Sequence, residues 1–414
     1  MDLAEATNPV TAEMDRHNGR IFLYSQVLIF LAAPVIYVGV VQAALCDKLG
    51  ASATIANLPA STFLLGSVAP LFVSWWVPYR WERAVLVTAS AFSSVLLTLV
   101  FGTLVLPVPD SFRIAAVVGQ GLILGLSSST ALVFMYQCLG RGTSLEGRAR
   151  AMKSALTLGP IAAVLGSLGA QFVLNRGIPA LTYPYDFALL YFIGIPCTAC
   201  VALVNSRYRL IPLQDKPRQP LWQFLGGILR TLAADRTLRS LWIAYLFWYC
   251  TLGSISNLSL YTREALGRDP KDLSGVVMAL RFGFKSAAAF LLGAIALRWG
   301  IRAPLIVTVL LVGFAPLWAW SIPGYAFLLA FGLMGAGELG GAYFPNYVVS
   351  VSPSQSGARN LALLTLASPF ASFAPVLHGR LTDAYGFPAS FLFGIATALV
   401  ALALVSKLPI VKKS

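Results

Sequence analysis

Apolar residues run along this chain in long stretches that are separated by short polar connections. A helix needs about 20 apolar residues to cross roughly 30 Å of hydrocarbon. Strand-like alternation is absent, and a closed barrel is the only other fold that spans a membrane. The pattern therefore predicts twelve membrane-spanning helices, numbered here as spans 1 to 12: 21–46, 54–78, 84–107, 112–139, 150–174, 184–206, 239–262, 273–297, 303–321, 324–350, 360–382 and 387–407.

The second half of the chain echoes the first. Three residues recur at a shift of 209 positions: Arg150, Pro160 and Gly177 return as Arg359, Pro369 and Gly386. We therefore predict an all-α membrane protein built from two pseudo-symmetric six-helix bundles. A site between two such bundles opens to either side of the membrane as they rock. The predicted parts are a tail (1–20), a bundle (21–206), a linker (207–238), a second bundle (239–407) and a tail (408–414).

Composition and charge agree with a membrane protein. The chain is 57% hydrophobic and only 11% charged, whereas a soluble protein carries roughly 25% charged residues. The net charge of +14 does not indicate nucleic-acid binding, because the basic residues lie in short loops. With the termini inside, 21 Lys and Arg fall on the inner side and seven on the outer. This asymmetry predicts cytoplasmic termini and insertion in the inner (plasma) membrane.

The linker between the halves has an amphipathic second part. Trp222, Phe224 and Leu225 belong to its apolar side, and Arg230 and Asp235 interrupt it. This pattern predicts a helix that lies in the cytoplasmic membrane interface rather than an ordinary solvated linker.

The loops after spans 2 and 8 carry a motif. Gly293, Arg298, Gly300 and Arg302 match the pattern Gly-x-x-x-Asp-Arg-x-Gly-Arg-Arg, with Leu297 in place of the Asp. The first half keeps Arg80 and Arg83. In these residues, and in its twelve spans, the chain resembles the major facilitator superfamily. The resemblance implies that family's fold, transport by alternating access and a gating role for the cytoplasmic loop residues, but no particular substrate.

Three ionisable residues lie deep in the predicted spans of the second half. Glu338 stands near the centre of span 10 among four glycines, and the other 15 acids lie in tails, loops or span ends. Arg281 and Lys285 are spaced i and i+4 in span 8, so they share one helix face. Charge at this depth costs about 2.5–3.5 kcal/mol and is usually functional. The family arrangement would bring the three together around a cavity.

Two interpretations of this trio compete. In the first, Arg281 and Lys285 attract an anionic substrate and Glu338 exchanges a proton as the site alternates. In the second, Glu338 pairs with one base and joins two helices. Two deep bases against one acid leave a surplus positive charge, which favours the first.

Further polar and aromatic residues are candidate substrate contacts. The family lines its cavity with spans 1 and 4, which singles out Gln42 and Gln120. The remaining candidates are Tyr37, Trp248, Tyr249, Asn257 and Asn346. For each of these alone, helix packing is favoured over a contact with the substrate. His378, toward the outer end of span 11, is predicted to be structural.

Other kinds of chemistry find no support in the sequence. Cys197 and Cys200 are spaced like a redox pair, but they lie in an apolar helix and are predicted to pack as small hydrophobes. No nucleophile elbow, metal-ligand cluster or phosphate loop is present. We therefore predict no enzyme and no cofactor.

The sequence favours a monomeric secondary active transporter whose partners are a small organic anion, a proton or other coupling ion and membrane lipids. Two alternatives stay open. One is a facilitator or exporter of neutral or amphipathic solutes in which the charges are structural. The other is a membrane sensor or receptor that does not transport.

Overall fold

The computed structural model describes residues 10–175, 177–212, 220–352 and 357–410. Parts of both tails, Arg176, linker residues 213–219 and residues 353–356 lie outside these ranges, as do the side chains of Phe224 and Arg359. All regular secondary structure in the described residues is helical.

Among the described residues, the first half contains nine α-helices. They are α1 (Ala12–Leu31), α2 (Ala33–Ile36), α3 (Val40–Lys48), α4 (Ala53–Gly66), α5 (Ala69–Trp76), α6 (Glu82–Val105), α7 (Asp110–Gly142), α8 (Leu145–Leu174) and α9 (Tyr185–Asn205).

In the part of the linker and second half that the structure describes there are twelve more. They are α10 (Leu221–Ala234), α11 (Arg236–Leu252), α12 (Ile255–Leu260), α13 (Thr262–Leu266), α14 (Pro270–Trp299), α15 (Arg302–Ser321), α16 (Leu329–Gly337), α17 (Gly340–Val351), α18 (Gly357–Thr365), α19 (Ala367–Phe370), α20 (Phe373–Tyr385) and α21 (Phe387–Val405).

In the part of the chain that is described, nine helical segments are long and apolar enough to cross a membrane. They match predicted spans 2–6, 8–10 and 12. Spans 1, 7 and 11 coincide with the shorter helices α1–α3, α11–α13 and α18–α20, which are not among these segments. Spans 2 and 10 are among them but are also interrupted, between α4 and α5 and between α16 and α17. Spans 1 and 7 occupy equivalent places in the sequence repeat, so the interruption itself recurs. The count of twelve stays a prediction.

The interruption of span 1 is held by two glutamine side chains. A regular helix would join the Gly39 N–H to the Val35 carbonyl. Instead the Gly39 N–H donates to Gln42 Oε1 at 3.2 Å, and the Val35 carbonyl accepts from Gln120 Nε2 at 2.9 Å. Gly39 has φ of 140°, which only glycine adopts without strain. Both polar groups of the interrupted backbone are therefore satisfied.

The chain divides into two compact units, Met1–Tyr37 with Gly66–Arg218 and Val38–Leu65 with Gln219–Ser414. The division thus passes through spans 1 and 2 as well as through the linker. The six-helix bundle boundaries stay a prediction.

In the first unit, α1 packs on α8 and α9, and α6 packs on α7 and α9. Polar contacts at the predicted cytoplasmic ends fasten residues 207–211 to these helices. Arg141 binds Glu82 at 2.5 Å and donates to the Ile211 carbonyl. Asn18 donates to the carbonyls of Gly142 and Arg209, each at 2.7 Å. The connection after span 6 is therefore part of the packed unit.

In the second unit, segment Val38–Leu65 is bound by polar contacts to the ends of α12, α13 and α20. The Asp383 carboxylate accepts from the backbone N–H groups of Ala53 and Thr54, each at 2.9 Å, and so caps the start of α4. Burial raises the pKa of Asp383, but hydrogen bonds from Thr54, Ser52 and Ala53 outweigh burial and hold it below its usual range.

Two ion pairs and an amide pair complete this contact. They are Arg263–Asp47 at 2.5 Å, Lys48–Asp269 at 3.1 Å and Asn57 Nδ2–Asn257 Oδ1 at 2.6 Å. Because the ion pairs are partly exposed, the buried amide pair is the more constraining contact.

The buried pair of the first unit gives a stability prediction. The side chains of Glu82 and Arg141 are 5% and 13% exposed, so Glu82→Gln leaves a largely buried cation and should cost about 3–5 kcal/mol. The control is Glu146→Gln, which breaks the exposed Glu146–Arg150 pair and should cost about 0–1 kcal/mol. Thermal unfolding in detergent measures both, and equal shifts would contradict the packing described here.

Candidate functional site

Arg281, Lys285 and Glu338 meet in the second unit. Arg281 Nε lies 2.5 Å from Glu338 Oε1, and Lys285 Nζ lies 3.1 Å from Oε2. The two bases are one turn apart on α14, and Glu338 lies in the short break between α16 and α17. Each carboxylate oxygen therefore faces a different cation.

The trio is largely buried and carries a surplus charge. The side chains of Arg281 and Glu338 are each 9% exposed, and that of Lys285 is 19% exposed. One carboxylate between two cations gives a net charge of +1 when all three are ionised. A low-dielectric surrounding strengthens the attraction of this charge for an anion.

The glycines around Glu338 let three neighbouring helices approach α16 and α17. A Cβ on Gly335 would collide with the Arg281 backbone, and one on Gly337 with Val312 of α15. A Cβ on Gly340 would lie 2.7 Å from the Trp248 ring on α11. The absence of side chains at these glycines therefore places Glu338 where α11, α14 and α15 converge.

The backbone changes its hydrogen bonding at Glu338. The Gly341 N–H donates to the Glu338 carbonyl at 3.0 Å, and the Ala342 N–H donates to the Leu339 carbonyl at 2.9 Å. These bonds join residues three apart rather than four, so the helix is tightened into a turn at Glu338 and Leu339. The turn includes the residue that carries the charge.

An aromatic cluster packs against the same break. Trp248 stacks on Tyr245, with ring centroids 5.3 Å apart, and contacts Tyr249 and Phe344. The Trp248 indole N–H donates to the Gly337 carbonyl at 3.3 Å. Trp248 is 2% exposed, so its ring is packed among protein groups. Its contact with a solute stays a prediction, as does that of Tyr249.

The structure also describes the other predicted substrate contacts. Gln42 and Gln120 bind the backbone of span 1, as described above, and Tyr37 stacks on Phe30 at 5.7 Å. Asn257 is fully buried and donates to the His378 carbonyl at 2.9 Å. Asn346 is exposed on α17. The solute-binding role of these five residues stays a prediction.

The cytoplasmic loop residues have local contacts. Arg83 donates to the Tyr208 carbonyl at 3.1 Å, and Arg80 is exposed. In the second half Arg302 donates to the Ser406 carbonyl, and the Arg298 guanidinium lies 5.1 Å from the Trp299 ring centroid.

The two loop glycines differ. Gly300 ends α14 with φ of 78°, a conformation that favours glycine. A Cβ on Gly293 would meet nothing within 4 Å. The gating role of all these loop residues stays a prediction.

Sequence reasoning missed two neighbours of the cations. The Phe282 ring centroid lies 5.9 Å from both Arg281 Cζ and Lys285 Nζ, which is within cation–π range. Met278 Sδ accepts from Arg281 Nη1 at 3.8 Å. Phe282 is adjacent to Arg281 in the sequence and Met278 lies one helical turn before it. These positions could have identified both residues as neighbours of the cations.

The chain shares its fold with solved membrane transporters. It matches the D-xylose-proton symporter with a TM-score of 0.68 and 13% identity, over 97% of this chain and 98% of that one. It matches the nucleoside transporter NupG with a TM-score of 0.64 and 13% identity, over 93% of this chain and 98% of that one. It matches a bacterial homologue of the human lysosomal transporter Spinster with a TM-score of 0.65 and 15% identity, over 96% of this chain and 95% of that one.

No family model and no curated protein matches the chain by sequence. The structural matches show that this chain has the all-helical membrane fold of these transporters. The all-α membrane fold expected from the sequence is confirmed.

The charge balance of the trio gives a stability prediction. Glu338→Gln leaves two buried cations without their counter-charge and should lower the unfolding temperature. Adding Lys285→Met to Glu338→Gln should raise it again because one unpaired cation is removed, whereas Lys285→Met alone should not be stabilising. Thermal unfolding of the four proteins measures this coupling. Strictly additive effects would contradict the shared carboxylate, and exposed Glu264→Gln is the control.

Proposed function

We propose that this chain is a secondary active transporter that moves a small organic anion together with a proton by alternating access. The fold supports transport, since solved proteins with this fold include the D-xylose-proton symporter and the nucleoside transporter NupG. The trio of Arg281, Lys285 and Glu338 supports the anionic substrate and the coupled proton. We further propose that the protein resides in the plasma membrane with cytoplasmic termini, on the charge asymmetry of its loops.

The observation that carries the proposal is that one carboxylate holds two cations. Arg281 and Lys285 each bind a different oxygen of Glu338. A substrate carboxylate presents the same pair of oxygens, so it competes with Glu338 for both cations. Arg281 offers the planar guanidinium that suits carboxylates, and Lys285 adds a point charge.

Displacement of Glu338 explains proton coupling. Once its cations bind the substrate, Glu338 is a carboxylate in a buried, apolar place with no counter-charge. Desolvation then favours the protonated form, so Glu338 takes up a proton. Loss of the substrate reverses the exchange, because the freed cations favour the ionised carboxylate again.

The charge balance also suits movement through a membrane. The empty site holds two cations and one carboxylate, for a net charge of +1. The loaded site holds the same groups with one added anion and one added proton, so its charge is again +1. Substrate binding therefore adds no net charge to the buried site, which would otherwise be costly in lipid.

The test of anion recognition is a thermal-shift screen of the purified protein against small mono- and dicarboxylates, with the neutral amide of each as its matched control, at several pH values. We expect carboxylates to stabilise the protein and their amides not to. Arg281→Ala and Lys285→Ala should each weaken binding by about tenfold or more, since loss of a buried charge partner costs at least about 2 kcal/mol.

Unchanged affinity in both variants would refute the anion hypothesis. Stabilisation by amides and carboxylates alike would instead favour a facilitator or exporter of neutral solutes in which the charges are structural.

The test of coupling uses proteoliposomes with an imposed pH gradient and the carboxylate found in the screen. We expect Glu338→Gln to abolish accumulation driven by the gradient while exchange of labelled for unlabelled solute persists, because the amide cannot carry a proton. Glu264→Gln is the control. Undiminished accumulation in Glu338→Gln would show that another group couples the proton, and binding without any flux would favour a sensor.

A further inference from the structure

The break that carries Glu338 is held by one side chain from α11. The Trp248 indole N–H donates to the carbonyl of Gly337, the residue before Glu338. The same indole lies against Gly340, two residues after Glu338, so closely that a Cβ there would come within 2.7 Å of the ring nitrogen. Trp248 thus contacts the backbone both before and after Glu338 in the chain.

The hydrogen bond replaces a helical one that is missing at the break. In a regular helix the Gly341 N–H would serve the Gly337 carbonyl. Here the Gly341 N–H donates to the Glu338 carbonyl instead. Trp248 supplies a donor to the Gly337 carbonyl in this buried position, where an unsatisfied carbonyl is costly.

Trp248 is itself fixed in place. Its ring is 2% exposed and packs against Tyr245, Tyr249 and Phe344, with ring centroids 5.3, 4.9 and 5.8 Å away. Phe344 belongs to α17, the helix that begins after the break. A side chain held by so many rings has one orientation, and its N–H has one direction.

On these grounds we infer that Trp248 is a positioning residue, whose bond to the Gly337 carbonyl holds the turn that places Glu338 against Arg281 and Lys285. The inference rests on the proposed function for its importance, since it assigns Trp248 control over how readily Glu338 exchanges its proton. A looser turn leaves the carboxylate less closely paired with the two cations and therefore easier to protonate.

The test follows the protonation of Glu338 without any solute. Infrared difference spectra of the purified protein, recorded across a pH series, show the C=O band of protonated Glu338. The band is assigned by its absence in Glu338→Gln. We expect Trp248→Phe, which keeps a ring but lacks the N–H, to move the midpoint of this band upward by about 1 pH unit, because opposite charges at close range account for shifts of this order.

The chain offers a matched control on the same helix. The Trp242 indole N–H makes no hydrogen bond among the described residues, and its ring packs edge-on against Phe370. Trp242→Phe removes the same atom from the same helix and should leave the midpoint unchanged. A thermal-unfolding measurement on each variant separates a positioning effect from general loss of structure.

A second pair of variants guards against failure of Trp248→Phe to fold. Gly340→Ala adds a methyl that must push the indole away, whereas a Cβ on neighbouring Gly341 would lie at an ordinary 3.7 Å from the ring. We expect an upward midpoint shift in Gly340→Ala and none in Gly341→Ala.

Unchanged midpoints in Trp248→Phe and Gly340→Ala would overturn the inference, as would equal shifts in the two tryptophan variants. So would a Glu338 band that does not titrate in any of the proteins. A selective shift combined with absence of proton-driven accumulation in proteoliposomes would support the positioning role of Trp248 and refute the transport proposal.

Discussion

A carboxylate buried in a membrane-spanning helix must keep its counter-charges or become neutral, and the second unit is arranged around this constraint. Glu338 has two cations, one for each oxygen, and both come from one helix face of α14. The arrangement leaves a surplus positive charge at a depth where charge is costly. A purely structural ion pair needs only one cation. A simple link between helices therefore does not explain the second base.

The surroundings of Glu338 are built to hold that geometry. Glycines bring the backbones of neighbouring helices within contact, and the tightened turn at the break carries the acidic residue. Gly335 faces the backbone of α14, Gly337 faces α15, and Gly340 faces the Trp248 ring. Close backbone approach compensates in lipid for the missing hydrophobic effect between helices. The site therefore rests on small residues and one aromatic donor as much as on its charges.

The long apolar helices were predictable because length and composition alone decide whether a helix spans a membrane. The i, i+4 spacing likewise placed Arg281 and Lys285 on one face, but their meeting with Glu338 required the resemblance to a known fold. The interrupted spans were not predictable, since the Val35 carbonyl is satisfied by Gln120, 85 residues away. For the same reason a buried glutamine cannot be assigned from sequence to a solute cavity or to a helix break. The Trp248–Gly337 contact joins residues 89 apart, and only packing reveals it.

The central claim is that Glu338 gives up its cations to an anion and takes a proton in return. The most direct measurement is the internal pH of liposomes that contain the protein and a trapped pH-sensitive dye, with no imposed gradient, after a carboxylate that binds the protein is added outside. The account predicts that the wild-type interior acidifies as the anion enters and that Glu338→Gln liposomes take up no proton. Anion entry with an unchanged internal pH in the wild type would contradict it.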